Sequence, residues 1–475
     1  VKHKQELTMM DRVWLFDPPS KTPTRESRIW ELISDRLINE GYWEKVFRRV
    51  YKPTFEELAR LKKNCKIPDN QKFNKNQIYD TLIKDRYPIM DMLYRKTDWG
   101  TNRYNSTSFH ELSNRIWLYF EFSFLFLIKE RITLVVYWNP PHMGWNYIAC
   151  QVAKSLGIKT LILDQAKFIN KFFHYFDFHD HGAFLTSKKL AYTTRFKIEK
   201  KIEKEWFYMK KNRGVKSQLS FKKLLTPSRY KKRLNLIIEN NDYLRLFREL
   251  CIRERRPQAF FRFYTERNYQ SALKNAYSRN VSLDSKYVYF PLHKQPERST
   301  SIWGGIYLDQ MLAIERLSEL IPGNWHIYVK ENPKQTGAYR DTLFFQRMKL
   351  IPNLSLLPKE SNTHELIRYS QFVATILGTA GWEAITGGKN VLIFGWGTWY
   401  KNLPGVYHYH PDIDIQELAE ARIDHHELEK KVAEIFNKCG TGLVNFRQIP
   451  SIPNFDVESN TDMVVKSLKQ ILYDK

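Results

Sequence analysis

Gly378 and Gly381 bracket Thr379 and Ala380 in the turn GTAG, which follows the apolar run 372–377 and opens a helical stretch carrying Glu383. Two glycines allow a ligand to come close to the backbone, the Thr379 hydroxyl adds a polar contact, and free N–H groups at a helix start attract an anion. A helix beginning near Trp382 puts Glu383 in its first turn, within reach of ribose hydroxyls. Such turns also end strands for purely geometric reasons, so the signal depends on its neighbours. Three further polar loops follow apolar runs in the same half of the chain. HKQPERST, after 286–292, offers His293, Gln295, Glu297, Ser299 and Thr300; KENPKQ, after 325–329, offers Lys330, Glu331 and Asn332; GWGTWY follows 390–394. Ligands of parallel α/β sheets bind outside the carboxyl ends of the strands, so four such loops describe a phosphate-binding cleft.

The segment RITLVVYWNPPHMGWNYIACQVAKSLGIKTLILDQAKF supplies an opposite wall. It reads as strand 132–138, helix 145–156, a break at Gly157 and strand 159–163, a βαβ unit. Asp164 ends the second strand. A carboxylate there can act as a base or a nucleophile, and a turn role suits it equally. His293 and Glu297 are further candidates for acid or base work, with ligand contacts the more natural role. His142 and Asn146, at the head of the helix, lie on this opposite wall. His408 and His410 lie between tyrosines and a proline and read as a plain loop; neither a DxD pair nor a His cluster suggests a metal.

The elements that must position these groups alternate as strand and helix from about 286 to 440, the pattern of a doubly wound sheet. Within it Asn362 and Glu365 have capping-box spacing. The first ~130 residues read as mixed and mostly helical. The apolar run 116–128 carries Glu121 and is shorter than the ~20 residues a membrane span needs, so a buried helix is expected. The expected layout is residues 1–285 as one domain, 286–460 as a second, and 461–475 as a terminal helix. The fold class is α/β, with two domains facing a cleft.

With 475 residues, two hydrophobic cores are the prior expectation. Cys65, Cys150, Cys251 and Cys439 form no CxxC pair, and the first residues show no signal-peptide pattern, so a cytoplasmic protein is expected. The net charge of +25 is concentrated: residues 187–280 hold 26 Lys and Arg against 8 Asp and Glu, with aromatics interleaved. Such a stretch suits an anionic membrane surface, a lipid-linked diphosphate or another polyanion, or it forms solvated helical faces. No nucleic-acid motif accompanies it, so nucleic acid is not the expected partner.

FPLHKQPERSTSIWGGIYLDQ, YVKENPKQ and GTAGWEAITGGKNVLIFG, in that order, resemble the C-terminal half of bacterial capsule and surface-polysaccharide glycosyltransferases, including the group related to Kdo transferases. The resemblance covers 286–400, and 131–168 more loosely. It implies a GT-B fold of two Rossmann-like domains, here with the basic segment in the N-terminal half. It further implies a nucleotide-sugar donor held by the C-terminal domain, an acceptor glycan or lipid-linked precursor held by the N-terminal one, and no metal or other cofactor. Asp164 resembles the acidic motif of sialic-acid and Kdo transferases. The departure is Asn332-Pro333, where the family commonly has His-Pro; an amide can donate a hydrogen bond but carries no charge. The implied donor is a CMP-linked acidic sugar such as Kdo. Two alternatives share the fold, a CDP-polyol or glycerophosphate transferase and a sugar-nucleotide epimerase. Another is a polyanion-binding protein using 187–280.

Overall fold

The computed structural model describes residues 10–474 apart from 17–27, 50, 65–73, 85–108, 167, 169, 192–194, 199–254, 279–280, 296, 338–339, 341 and 453. Much of the basic stretch therefore lies outside the described residues, its described helix being Arg255–Ala276. In chain order the strands are β1 (Asp11–Phe16), β2 (Trp43–Arg49), β3 (Leu134–Tyr137), β4 (Lys159–Gln165) and β5 (Lys171–Tyr175). Then follow β6 (Tyr287–Pro291), β7 (His326–Lys330), β8 (Leu354–Leu357), β9 (Val373–Thr375), β10 (Val391–Ile393), β11 (Val406–His408) and β12 (Gly440–Thr441). They form two six-stranded sheets, and the class is α/β.

The second sheet runs β11-β10-β9-β6-β7-β8 and all its pairs are parallel. Counted from β6 this is the doubly wound order 3-2-1-4-5-6, whose direction of winding reverses between β6 and β9. Its inner strands β6, β9 and β10 are buried on both faces, which explains their largely apolar runs. The first sheet runs β12-β5-β4-β3-β1-β2, with β1 to β4 parallel and β5 antiparallel to β4. The βαβ unit is present as β3, helix Gly144–Ser155 and β4, with Gly157 in the left-handed region at φ +71°.

Among the described residues the first 130 are mixed and mostly helical, as expected, and β1 and β2 add two strands at one side of the first sheet. β2 escaped notice because it is an edge strand, WEKVFRR, whose charges blunt an open edge and break the apolar run. Residues 440–452, expected with the second domain, instead lie with the first sheet. There β12 pairs antiparallel with β5, Trp30 donates its indole N–H to the Val444 carbonyl, and Trp43 donates to the Tyr473 hydroxyl. The terminal helix Val457–Leu472 packs beside helix Ile29–Asn39, and its buried Val464, Leu468 and Ile471 join the same apolar cluster.

The run 116–128 lies inside the core helix Phe109–Lys129, where buried Glu121 meets Lys62 at 2.9 Å and also Lys75. No helix among the described residues is long and apolar enough to cross a membrane. One continuous apolar cluster includes residues of both sheets, from Trp14 and Val135 to Tyr289 and Val391.

Candidate active site between the sheet edges

The loop after β6 is organised around His293. Its Nε2 lies 3.2 Å from the Leu377 amide and 2.9 Å from Thr375 Oγ1. A backbone N–H can only donate, so Nε2 is the acceptor and the imidazole proton sits on Nδ1, facing Ser299 Oγ at 3.4 Å. The His293 carbonyl accepts from Gln310 at 3.1 Å and from Arg340 at 3.0 Å. Arg340 is fully buried with Glu331 at 3.0 Å and also donates to Gln295 Oε1. These bonds tie the end of β6 to the ends of β7 and β9 and leave His293 and Gln295 as parts of a rigid wall. Arg340 had no signal in the sequence, standing alone in GAYRDT.

Helix Thr379–Thr386 begins three residues earlier than expected, with Gly378 as its N-cap. Thr379 and the buried Ala380 form its first turn, while Glu383 falls in the second. The two glycines serve packing as well as access. A side chain at Gly378 would stand 3.1 Å from the His293 ring, and one at Gly381 would stand 2.5 Å from the Tyr400 hydroxyl. That hydroxyl donates to the Gly378 carbonyl, so Tyr400 takes the space beside Gly381, leaving Thr379 as the approach to the helix start. Lys330 is buried at the end of β7 and donates to the Ser361 carbonyl at 2.9 Å and to Thr363 Oγ1. Burial pulls its pKa down to about 8, against the opposing pull of Glu383 and Glu360. Asn332 accepts the Lys334 amide at 2.9 Å, closing a turn.

The other wall meets this one through Arg298, a residue the sequence reading passed over. Its Nη2 lies 3.1 and 3.2 Å from the two carboxylate oxygens of Asp164, its Nη1 lies 2.5 Å from Asn139 Oδ1, and its guanidinium stands 4.6 Å above the Trp303 ring. Arg298 follows β6, Asp164 lies at the end of β4 and Asn139 follows β3, so the carboxyl edges of the two sheets face each other. His181 stacks on Trp303 at 3.8 Å and lies 4.0 Å from Asp164. Its pKa is driven well below the ordinary imidazole range by burial, then by the charges of Arg298 and Lys401. His181 is therefore neutral.

The loop GWGTWY departs from expectation. Instead of offering polar groups to a ligand it receives aromatic side chains in and around β5: Trp399 packs on Phe168 and Phe173, and Trp396 on Phe178 and His179. The other candidates divide. Glu297 is exposed, caps nothing with its side chain and lies 3.8 Å from Lys294. Thr300 is fully buried and bonds the Glu297 carbonyl at 3.2 Å, which removes it from the cleft surface. Asn146 accepts the Met143 amide at 2.9 Å as part of a capping box, and His142 Nδ1 lies 2.8 Å from the Pro140 carbonyl. His408 belongs to β11, not to a loop, and lies 3.0 Å from the Lys401 carbonyl. Among the described residues no three His, Cys, Asp or Glu side chains are arranged to hold a metal ion.

No protein-family model and no curated protein sequence matches the chain. Among solved structures it is similar to the beta Kdo 2,4 transferase of Thermosulfurimonas dismutans KpsC, at 13% identity and a TM-score of 0.29, over 64% of this chain and 82% of that one. The beta Kdo 2,7 transferase of the same organism's KpsC is 17% identical with a TM-score of 0.24; the match covers 42% of this chain and only 60% of that chain's length. The UDP-GlcNAc 2-epimerase of Methanocaldococcus jannaschii is 10% identical with a TM-score of 0.24, over 88% and 91% of the two chains. What defines the fold here is the strand order of the two sheets, not these likenesses.

Proposed function

We infer that this chain is a glycosyltransferase of GT-B architecture that moves a sugar from a nucleotide donor to a bacterial surface glycan or its lipid-linked precursor. The observation that carries the reading is the pairing of Arg298 with Asp164, which joins the carboxyl edges of two parallel-rich sheets, the places where α/β enzymes bind and react. On this reading the donor lies along the second sheet, its phosphate toward Thr379 and the start of helix Thr379–Thr386, its ribose toward Glu383. Asp164 then either removes the proton of the acceptor hydroxyl or attacks the anomeric carbon, while the nucleotide leaves. The resemblance of HKQPERST, KENPKQ and GTAG to the Kdo-transferase group favours a CMP-linked acidic sugar, and the charge of residues 187–280 favours a place at an anionic membrane face.

The deciding experiment is thermal unfolding of the full chain with CMP-, UDP- and GDP-sugars. A ligand at 100 times its Kd adds about 2.7 kcal/mol of stability, so one donor class should raise Tm by several degrees. A Tm unmoved by every nucleotide refutes the reading. Product mass then distinguishes transfer, which adds a sugar to an acceptor, from epimerisation, which adds none.

A further inference from the structure

We propose that Asp164 and the anionic group of the donor compete for the same seat on Arg298. The proposal deepens the glycosyltransferase reading by naming the cation that takes up the donor's phosphate charge and the carboxylate that the exchange releases from that cation.

Two arginines stand on this face of the second sheet, and their surroundings differ. Arg340 and Glu331 are 1% and 0% exposed, and Arg340 is saturated by Glu331, Gln295 and the His293 carbonyl. That pair is structural: a ligand cannot reach it, and removing either partner strands a buried charge. The Arg298 side chain is 28% exposed, against 11% for Asp164, so the cation is the more accessible partner. Their contact also falls short of the parallel fork that guanidinium and carboxylate prefer, because Nη2 alone serves both carboxylate oxygens. A donor phosphate, with two non-bridging oxygens, can make the two-pronged contact.

Arg298 would stay in place when the carboxylate lets go. Asn139 holds Nη1 at 2.5 Å and Trp303 supports the guanidinium face at 4.6 Å. The nearby His181 is neutral, and Asp180 is committed to the Leu185 and Thr186 amides at 2.7 Å each and to the Thr186 hydroxyl at 2.6 Å. Asp164 is thus the carboxylate that answers Arg298, and a phosphate arriving there replaces one ion pair with another, breaking no covalent bond. Asp164 becomes available to the acceptor as the donor takes its seat, which couples the base or nucleophile to donor binding.

The test is titration calorimetry of the full-length protein with CMP, UDP and GDP. Substituting Asp164→Asn removes the internal competitor and should tighten binding of the accepted nucleotide roughly fivefold. Arg298→Gln should weaken it at least about tenfold, with Arg298→Lys between. Should Arg298→Gln fail to fold, the Lys variant carries the comparison. Unchanged or weaker binding in Asp164→Asn at an unchanged Tm, or wild-type binding in both Arg298 variants, overturns the exchange and leaves the glycosyltransferase reading intact. A wild-type chain that binds none of the nucleotides overturns both.

Discussion

At His293 the backbone decides the chemistry of the side chain. Because the Leu377 amide can only donate, Nε2 must accept, and the imidazole, read first as a ligand contact and second as an acid or base, holds the end of β9 against the end of β6. Lys330 shows the same tension between solvation and fold. Its residue type and place were legible in KENPKQ, but the burial that pulls its pKa to about 8 was not. Between that value and the unfolded 10.5 the unfolded chain binds more protons than the native one, so the contribution of Lys330 to stability rises with pH across this window. Below it the penalty of the buried charge is fully present. Urea unfolding at pH 7 and pH 10 should therefore show a gain at the higher pH that Lys330→Met lacks; an equal gain in both proteins would place the titrating group elsewhere.

At the scale of elements, the alternation of strand and helix after residue 286 could be read because each element carries its own signal. Parallel strands are continuous apolar runs, and turns are marked by glycine or by caps such as Asn362, whose side chain accepts the His364 amide at 3.0 Å. The capping box with Glu365 reduces to that single bond. Helix Thr379–Thr386 was found but started too late, since the glycines that look like a loop are its cap and first turn. Gly381 is required by Tyr400, which is buried and cannot swing away. Gly381→Ala should cost about 1–3 kcal/mol, and adding Tyr400→Phe, which removes the clashing oxygen, should recover part of it. A double-mutant cycle in urea that comes out additive would show that the two residues do not share this space.

For the whole molecule, the two halves are bound by more than the Arg298 bridge. Phe168 and residues 170–184 lie against GWGTWY, and Gly182 packs so closely that an added side chain would stand 1.9 Å from the Thr398 carbonyl oxygen. Gly182 also sits at φ +81°, where a side chain strains the backbone. Gly182→Ala should therefore cost about 2 kcal/mol or more and expose 170–184 to proteolysis. A variant with wild-type Tm and cleavage pattern would mean that this contact does not hold the halves together.

The sequence by itself determined what nearest neighbours along the chain can determine: the α/β class, the βαβ unit at 131–168, the four loops at strand ends, and Asp164 as a carboxylate at one of them. Only the tertiary structure decided where β1 and β2 fit, that the chain returns at Gly440 to finish the first sheet, and that Tyr400 rather than a ligand lies against Gly381. It also decided the partner of Arg298, which lies 134 positions away in the chain. The physical reason is common to all of these. Propensity, capping and burial period act over a few residues, whereas an edge strand, a close glycine contact or a bridging arginine is set by whichever distant segment the folded core brings alongside.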